Sequence, residues 1–322
     1  MNKSFIKNFL AKIKEAKNIL IIGHKNPDAD SLGSVLGLAR LLRENLNKKV
    51  NCSYEGAMAD FLDFMPGRDD ILYAEKIEFA GKYDLLIVLD APLLRMLGAL
   101  SEEIFHVIGD SIAIDHHVVP SNEDGNFAEL NFMDSGYSST AEIIYKLADA
   151  NAWQIDADAA TCLYAGLVAD SGKFDYTQNG DTLRVAGALV DAGADPRRIA
   201  LALDAQTKKD ILTEALAVAR AEFFYHDKLA VATITREMYR NLNGKANVVM
   251  QVLRQIDSVE YVVVLKEAKE NMIRVSMRGK TRPVREIAER FGGGGHDFAA
   301  AANMKIPLDA AKKLLISEFK NV

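Results

Sequence analysis

Cysteine is nearly absent from the 322 residues, with Cys52 and Cys162 the only two. Two isolated thiols make no disulfide framework and fit a reducing compartment, so a disulfide-stapled secreted scaffold is excluded and a cytoplasmic location is expected. No apolar run approaches the ~20 residues that a membrane-spanning helix needs. The opening stretch MNKSFIKNFLAKIKEAKN lacks the apolar core and small-residue cleavage site of a signal peptide. Its spaced Phe5, Ile6, Phe9, Leu10 and Ile13 predict an amphipathic surface helix instead. An excess of positive charge is missing too. The formal net charge of −6 excludes a broad basic groove for long duplex nucleic acid, while leaving room for short phosphorylated substrates held by metals and a few local cations. What is present is a globular composition, 49% hydrophobic and 26% charged, on a chain long enough for two domains.

Apolar runs alternate with amphipathic ones in the first half. NILIIGH, KVNCSYE, DLLIVLD and SIAIDHH predict strands, and LGSVLGLARLLREN and TAEIIYKLADAN predict helices. This alternation points to an α/β fold with a mostly parallel sheet covered by helices. Further helices are expected over 156–169 and 181–192, separated by the loop DSGKFDYTQNG. The charged stretch 195–222 predicts a helical linker between domains. Beyond it, LAVATI, VEYVVVLKEA and NMIRVSMRG read as antiparallel-type strands, with helices near 246–257, 283–291 and 308–320. The expected division is therefore an N-terminal domain over 1–194, the linker, and a smaller C-terminal α/β domain with a mixed sheet over 223–322.

In parallel sheets, ligands bind beyond the carboxyl ends of the strands. His24, Asp90, Asp115, His116 and His117 all follow candidate strands at that end. Asp28 and Asp30 complete the stretch GHKNPDADSLGS, and Asp170 ends CLYAGLVAD. Taken singly, each has a plain structural explanation. Asp28 can accept turn hydrogen bonds while Asp30 caps the next helix, Asp90 can cap a helix, and DHH can be a hydrogen-bonded cluster. Together, the four carboxylates of Asp28, Asp30, Asp90 and Asp170 and the three imidazoles on one crevice would repel or desolvate each other without cations. A pair of divalent ions sharing one carboxylate resolves this. Mixed oxygen and imidazole donors suit Mn²⁺ better than Ca²⁺, with Mg²⁺, Fe²⁺, Co²⁺ and Zn²⁺ as alternatives. Two such ions ~3.5–4 Å apart recur in phosphoryl chemistry. Three carboxylates and two imidazoles suffice for them, leaving one histidine for acid–base work.

The second half offers FGGGGHDFAAAA. Its glycines can form an anion-binding nest around Gly294 and Gly295, with His296 directed into the same site, or simply a flexible loop. In IRVSMRG, Arg274, Ser276 and Arg278 alternate with Val275 and Met277, so period two puts them on one strand face. Such a face suits a phosphate or terminal nucleotide, although solvated arginines read the same way.

In order, HKNPDADSLGS, LIVLDAP, AIDHH and GLVADSGKF resemble the four motifs of the DHH phosphoesterase superfamily. VSMRG and VREIAERFGGGGH resemble the DHHA1 domain that accompanies it in one branch, and the two resemblances span nearly the whole chain. A bare two-domain chain of this length looks most like the NrnA type, whose pattern STAEIIY and DSGKF also fit. The resemblance implies one metal held by His24, Asp28 and Asp90, and a second held by Asp30, Asp90, His116 and Asp170, with Asp90 bridging. His117 would face the substrate phosphate as proton donor or charge stabiliser, and Asp115 would fix a ligand imidazole. Arg274, Ser276, Arg278, Gly294, Gly295 and His296 become substrate contacts.

The implied cofactors are two divalent ions, Mn²⁺ first and Mg²⁺ or Co²⁺ next. The implied activity is exonucleolytic degradation of short single-stranded oligonucleotides (nanoRNA) to mononucleotides, together with hydrolysis of the 3′-phosphate of adenosine 3′,5′-bisphosphate (pAp) to AMP. No membrane partner is implied, and many relatives are homodimers. Alternatives are a phosphodiesterase of cyclic dinucleotides or their linear products pApA and pGpG, a pure pAp phosphatase, and a nucleotide-binding regulator without catalysis. Inorganic pyrophosphatases share the metal motifs but carry a different second domain. Two positions depart from the family pattern: Ala301 stands where glycine is common and Gly279 where serine is frequent. Both lie near the recognition residues, so they bear on substrate preference rather than catalysis.

Overall fold

Strands with apolar residues at every position need cover on both faces, and the N-terminal half supplies it. In the computed structural model, β1 (Asn18–Ile22), β2 (Lys49–Tyr54), β3 (Leu72–Tyr73), β4 (Leu85–Leu89), β5 (Ser111–Asp115) and β6 (Leu130–Met133) form one sheet in the order β3-β2-β1-β4-β5-β6. Every pairing in it is parallel. The structure describes residues 1–322 apart from 74–80, 100–103, 106–107, 120–122, 124, 178, 241, 243–246 and 321–322.

One face of the sheet, through Ile19, Ile21, Ile87 and Ile112, joins a large core with α1 (Lys3–Glu15), α2 (Ala29–Leu46), α3 (Thr140–Ala150), α4 (Ala157–Asp170) and α5 (Asp181–Asp191). Helix α1 buries Phe5, Phe9 and Ile13, three of the five apolar positions that predict its amphipathic character. The other face, through Leu20, Ile22, Leu86 and Val88, packs on a smaller cluster with Ala91, Leu97, Ile104 and Ile108. Helices α2 and α4 cross closely, because a Cβ at Gly33 would lie 2.3 Å from the Cys162 carbonyl oxygen. That approach brings the start of α2 beside the C-terminal turn of α4.

The chain forms two compact units, Met1–Ala205 and Gln206–Val322. The stretch expected to link domains folds as α6 (Pro196–Asp204), capped by Asp195 with Pro196 in its first turn, and α7 (Lys208–Ala219), which opens on a Thr207–Asp210 capping box. The division falls between these two helices.

The second unit holds β7 (Glu222–Phe224), β8 (Leu229–Ile234), β9 (Tyr261–Lys269), β10 (Met272–Gly279), β11 (Gly294–His296) and β12 (Ala299–Met304), in the order β11-β12-β10-β9-β8-β7. The sheet is mixed: β8 and β9 run parallel, and all the other pairs are antiparallel. Helices α8 (Arg236–Tyr239), α9 (Asn247–Arg254), α10 (Arg285–Arg290) and α11 (Leu308–Glu318) complete it. Residue 246 of the expected helix near 246–257 lies outside the described residues. One face of the sheet builds a core from Val263, Leu265, Val275, Met277 and residues of α10 and α11. Among the described residues, the opposite face is packed along β8 and β9, through Ala230, Ala232, Val262 and Val264.

Candidate metal centre and substrate face

Strands β1 and β4 are neighbours where the strand order reverses, so their carboxyl ends flank the crevice that such sheets use for ligands. Just beyond β1, Asp28 is the N-cap of α2. Its Oδ1 accepts the N–H groups of Asp30 and Ser31, both at 3.0 Å, while its Oδ2 stands 3.6 Å from His24 Nε2. Asp28 thus accepts the local N–H groups as expected but is itself the cap, which Asp30 is not, and the same carboxylate also faces a histidine. Asp30, fully buried, is gripped from the start of α3. The Thr140 N–H donates to its Oδ2 at 2.7 Å and the Ala141 N–H to its Oδ1 at 3.0 Å. Gly166 of α4 leaves the space, since a Cβ there would lie 2.6 Å from Asp30 Oδ1.

Asp90 follows β4 with φ at +58°, a left-handed conformation that costs an L-residue on the order of 1 kcal/mol. Its buried carboxylate serves two neighbourhoods. Oδ2 lies 3.6 Å from His24 Nε2, whereas Oδ1 lies 3.7 Å from His116 Nε2 and accepts the Thr140 hydroxyl at 3.1 Å. His116 Nε2 is also 3.0 Å from Asp170 Oδ2 and 3.8 Å from Asp30 Oδ2. His24, Asp28 and Asp90 thus make one group of donors, and Asp30, Asp90 and His116 a second, with Asp90 common to both and Asp170 joined to the second through His116.

These groups fit divalent cations. Ligands ~2.1 Å from an octahedral ion stand about 3 Å apart, close to the 3.0–3.8 Å separations between imidazole nitrogens and carboxylate oxygens here. The electrostatics agree. Burial first, then the charges of Asp170 and Asp28, hold the Asp30 carboxyl well above the usual range. Burial and then Asp30 and Asp28 do the same to Asp90. Burial acts to lower His24, but Asp28 and Asp90 outweigh it and push the imidazole up to about 10. Every one of these shifts has the sign expected of a cluster that favours added positive charge.

Asp115, the last residue of β5, corrects one expectation. Its Oδ1 accepts the His117 backbone N–H at 2.5 Å and lies 2.9 Å from His117 Nδ1, so it orients His117 rather than a ligand imidazole. His116 Nδ1 faces the Tyr137 carbonyl oxygen instead, at 3.4 Å. Burial lowers His117, yet the hydrogen bond and charge of Asp115 hold it well above its ordinary value. Thr140 is the residue that motif reading missed. The pattern S-x-x-E at 139–142 signals a helix start, and Ser139 does cap α3, accepting the Glu142 N–H at 3.0 Å. Nothing in that pattern says the helix start is aimed at two buried aspartates.

In the second unit, β10 alternates as expected: Ile273, Val275 and Met277 are buried, while Arg274, Ser276 and Arg278 lie on the other face. Register extends that face. Ser276 lies opposite Ala301, which pairs with Gly294, and Arg278 lies opposite Ala299, which pairs with His296. Ser276, Arg278, Gly294 and His296 therefore share one face with small alanines between them.

The glycine run is not the free nest expected. The N–H groups of Gly292 and Gly293 bond the Glu289 and Ala288 carbonyls at the end of α10, and Gly294 and Gly295 enter an edge strand. Gly295, at φ +135°, lies in the row of Ala300 and Met277 on the opposite, core-facing side, so it does not join the other candidates. At Gly279, where serine is frequent, a Cβ would lie 2.0 Å from the Arg282 carbonyl oxygen, which explains the departure by space alone. Ala301 is exposed between Ser276 and Gly294.

Comparison with known proteins places residues 18–167 in the DHH family, N-terminal domain, and residues 226–321 in the DHHA1 domain. A Mycoplasma genitalium protein named bifunctional oligoribonuclease and PAP phosphatase NrnA is 29% identical over 310 residues, 94% of this chain and 93% of its own length. A Streptococcus mutans protein named as a probable enzyme of the same kind is 28% identical over 303 residues, covering 92% of this chain and 93% of its own. Among solved structures, an exopolyphosphatase-related protein from Bacteroides fragilis superposes with a TM-score of 0.88 at 25% identity, covering 98% of this chain and 95% of that one. Among the described residues, no helix is long and apolar enough to cross a membrane.

Proposed function

Because this chain belongs to the DHH family and carries a DHHA1 domain behind it, we propose that it is a metal-dependent phosphoric ester hydrolase that degrades short oligonucleotides to mononucleotides and converts pAp to AMP. The observation that carries this reading is the buried Asp90 carboxylate, with one oxygen 3.6 Å from His24 and the other 3.7 Å from His116. Phosphoesterases of this family depend on divalent metal ions, and we assign Mn²⁺ here on the mixed oxygen and imidazole donors. When bound, two such ions supply Lewis-acid polarisation of the phosphate and activation of water.

The chain's own residues do the rest. His24, Asp28 and Asp90 hold one ion, and Asp30, Asp90, His116 and Asp170 the other. His117, oriented at Nδ1 by Asp115, gives a proton to the leaving nucleoside oxygen. Asp30 and Asp90 keep their places because Thr140 and Ala141 bond them from α3. Ser276, Arg278, Gly294 and His296 recognise the nucleotide, with Arg274 on the same strand face. We assign catalysis to residues 1–194 and substrate recognition to 223–322, in a protein that works in the cytoplasm, where the buried Cys52 and Cys162 stay reduced.

The test is product analysis by anion-exchange chromatography after incubation with Mn²⁺. Substrates are 5′-phosphorylated RNAs of about two to seven nucleotides (a length range for a short-chain enzyme acting without a long basic groove) and, separately, pAp. Stepwise release of mononucleotides and formation of AMP are expected. Hydrolysis of cyclic dinucleotides alone, or of nothing with metal bound, would overturn the reading.

A further inference from the structure

The peptide group joining Lys25 to Asn26 is planar, so its C=O and N–H point in opposite directions and fixing one fixes the other. Both are used. The Lys25 carbonyl oxygen lies 3.0 Å from His24 Nδ1, while the Asn26 N–H donates to the Glu55 carbonyl oxygen at 3.0 Å. A carbonyl can only accept, so His24 Nδ1 carries the hydrogen. A neutral imidazole then keeps its lone pair on Nε2, the nitrogen that faces Asp28 and Asp90. The segment after β2 grips this peptide further. Glu55 Oε1 accepts the Lys25 ammonium at 2.5 Å, and Asn26 Oδ1 accepts the Ala57 N–H at 3.0 Å. Gly56 gives the room, since a Cβ there would lie 2.4 Å from Asn26 Oδ1. Beyond β4, the Met96 carbonyl oxygen takes the Lys25 N–H at 2.7 Å. Asn26 has φ at +54°, a conformation that an L-residue keeps only where its surroundings hold it. The Glu55–Lys25 pair is a poor device for stability. Its carboxylate is buried while its ammonium stands half in solvent, so a full desolvation cost meets a screened attraction. That arrangement is explained if the pair serves the peptide it spans.

We propose that Glu55 is a positioning residue for the ion site of His24, Asp28 and Asp90. By holding Lys25 through its carboxylate and Asn26 through its backbone carbonyl, it keeps the Lys25 carbonyl on His24 Nδ1 and His24 Nε2 aimed between the two aspartates. This rests on the metal-dependent hydrolase reading above. Glu55 acts on one donor group alone, because the second group is held from α3 by Thr140 and Ala141.

The experiment measures Mn²⁺ binding to the full-length protein by calorimetry. Glu55→Ala should weaken one of two binding steps about tenfold, the low end of what losing a ligand's outer partner costs, and leave the other within about twofold. Glu55→Gln, which keeps an acceptor oxygen at the same reach, should recover most of the loss. Lys25→Met should weaken the same step by a similar factor, and the double variant Lys25→Met, Glu55→Ala should be no worse than either single one. A purely Coulombic influence predicts the opposite sign for Lys25→Met, since removing a cation beside the site would tighten Mn²⁺. Tighter binding in Lys25→Met, equal losses in both steps, additive losses or unchanged binding would each overturn the assignment. Should the wild type bind no Mn²⁺, the hydrolase reading fails, and hydrogen exchange then decides Glu55 alone. The Asn26 amide must exchange about tenfold faster in Glu55→Ala; unchanged protection rejects the positioning role.

Discussion

The two units concentrate opposite charges in opposite ways. In the first, Asp30, Asp90 and His116 are sealed inside the protein at strand and helix ends, with Asp28 and Asp170 at the rim. In the second, Lys266, Arg274 and Arg278 lie on a sheet face that water reaches. Buried carboxylates have no solvent to stabilise them, so they need cations, fixed N–H donors or protons. An open cationic face is already solvated and gains only modestly from a ligand. Loss of a residue from the buried cluster should therefore damage catalysis by orders of magnitude, whereas loss from the open face should shift affinity.

The sharpest test of that contrast is Asp90→Asn. Turnover should fall about 10³-fold or more, with the far-UV circular dichroism unchanged. Because burial, Asp30 and Asp28 all disfavour a charged carboxylate at this position, the metal-free variant should melt no lower than the metal-free wild type. A clearly lower melting temperature would mean that Asp90 serves the fold more than the ions. Chelation extends the comparison: metal at 100 times its Kd adds about 2.7 kcal/mol. EDTA should accordingly lower hydrogen-exchange protection along β1 and β4, and leave β9 and β10 as they were.

Next in size is Thr140→Val, which deletes the hydroxyl on Asp90 but keeps the N–H on Asp30. Metal affinity, read by calorimetry, should drop about 10- to 100-fold, and Thr140→Ser should restore it. On the open face, Arg278→Gln should raise KM for short oligonucleotides about tenfold with kcat nearly constant. A matching fall in kcat would move Arg278 from recognition into the reaction. The smallest effect concerns stability alone. Gly279→Ser should cost about 1–3 kcal/mol in urea denaturation by crowding the Arg282 carbonyl.

Much of this was legible in the residues. The all-apolar runs ending in His24, Asp90 and Asp115 predict parallel strands, and the α/β class with a parallel and a mixed sheet follows the expected pattern. Period two on β10 correctly separates Arg274, Ser276 and Arg278 from the core. Less accessible were contacts between residues far apart in the chain. That Asp28 is cap and candidate ligand at once depends on which of its oxygens turns toward His24. That Asp115 holds His117 depends on the backbone turn after β5, and Gly295 leaves the candidate face because the glycine run joins an edge strand.

By itself, the sequence determines the chemistry of this protein: residue types and spacing at strand ends dictate a cluster of carboxylates and imidazoles that needs positive charge. Periodicity likewise dictates the faces of the strands, because side-chain direction along a strand is a local property of the backbone. Only the tertiary structure decides how those groups share work. Thr140 reaches Asp30 across 110 positions of sequence and Asp90 across 50, and Lys266 meets Arg274 only through the register of two strands. Such pairings depend on packing and register, which no local pattern of residues encodes.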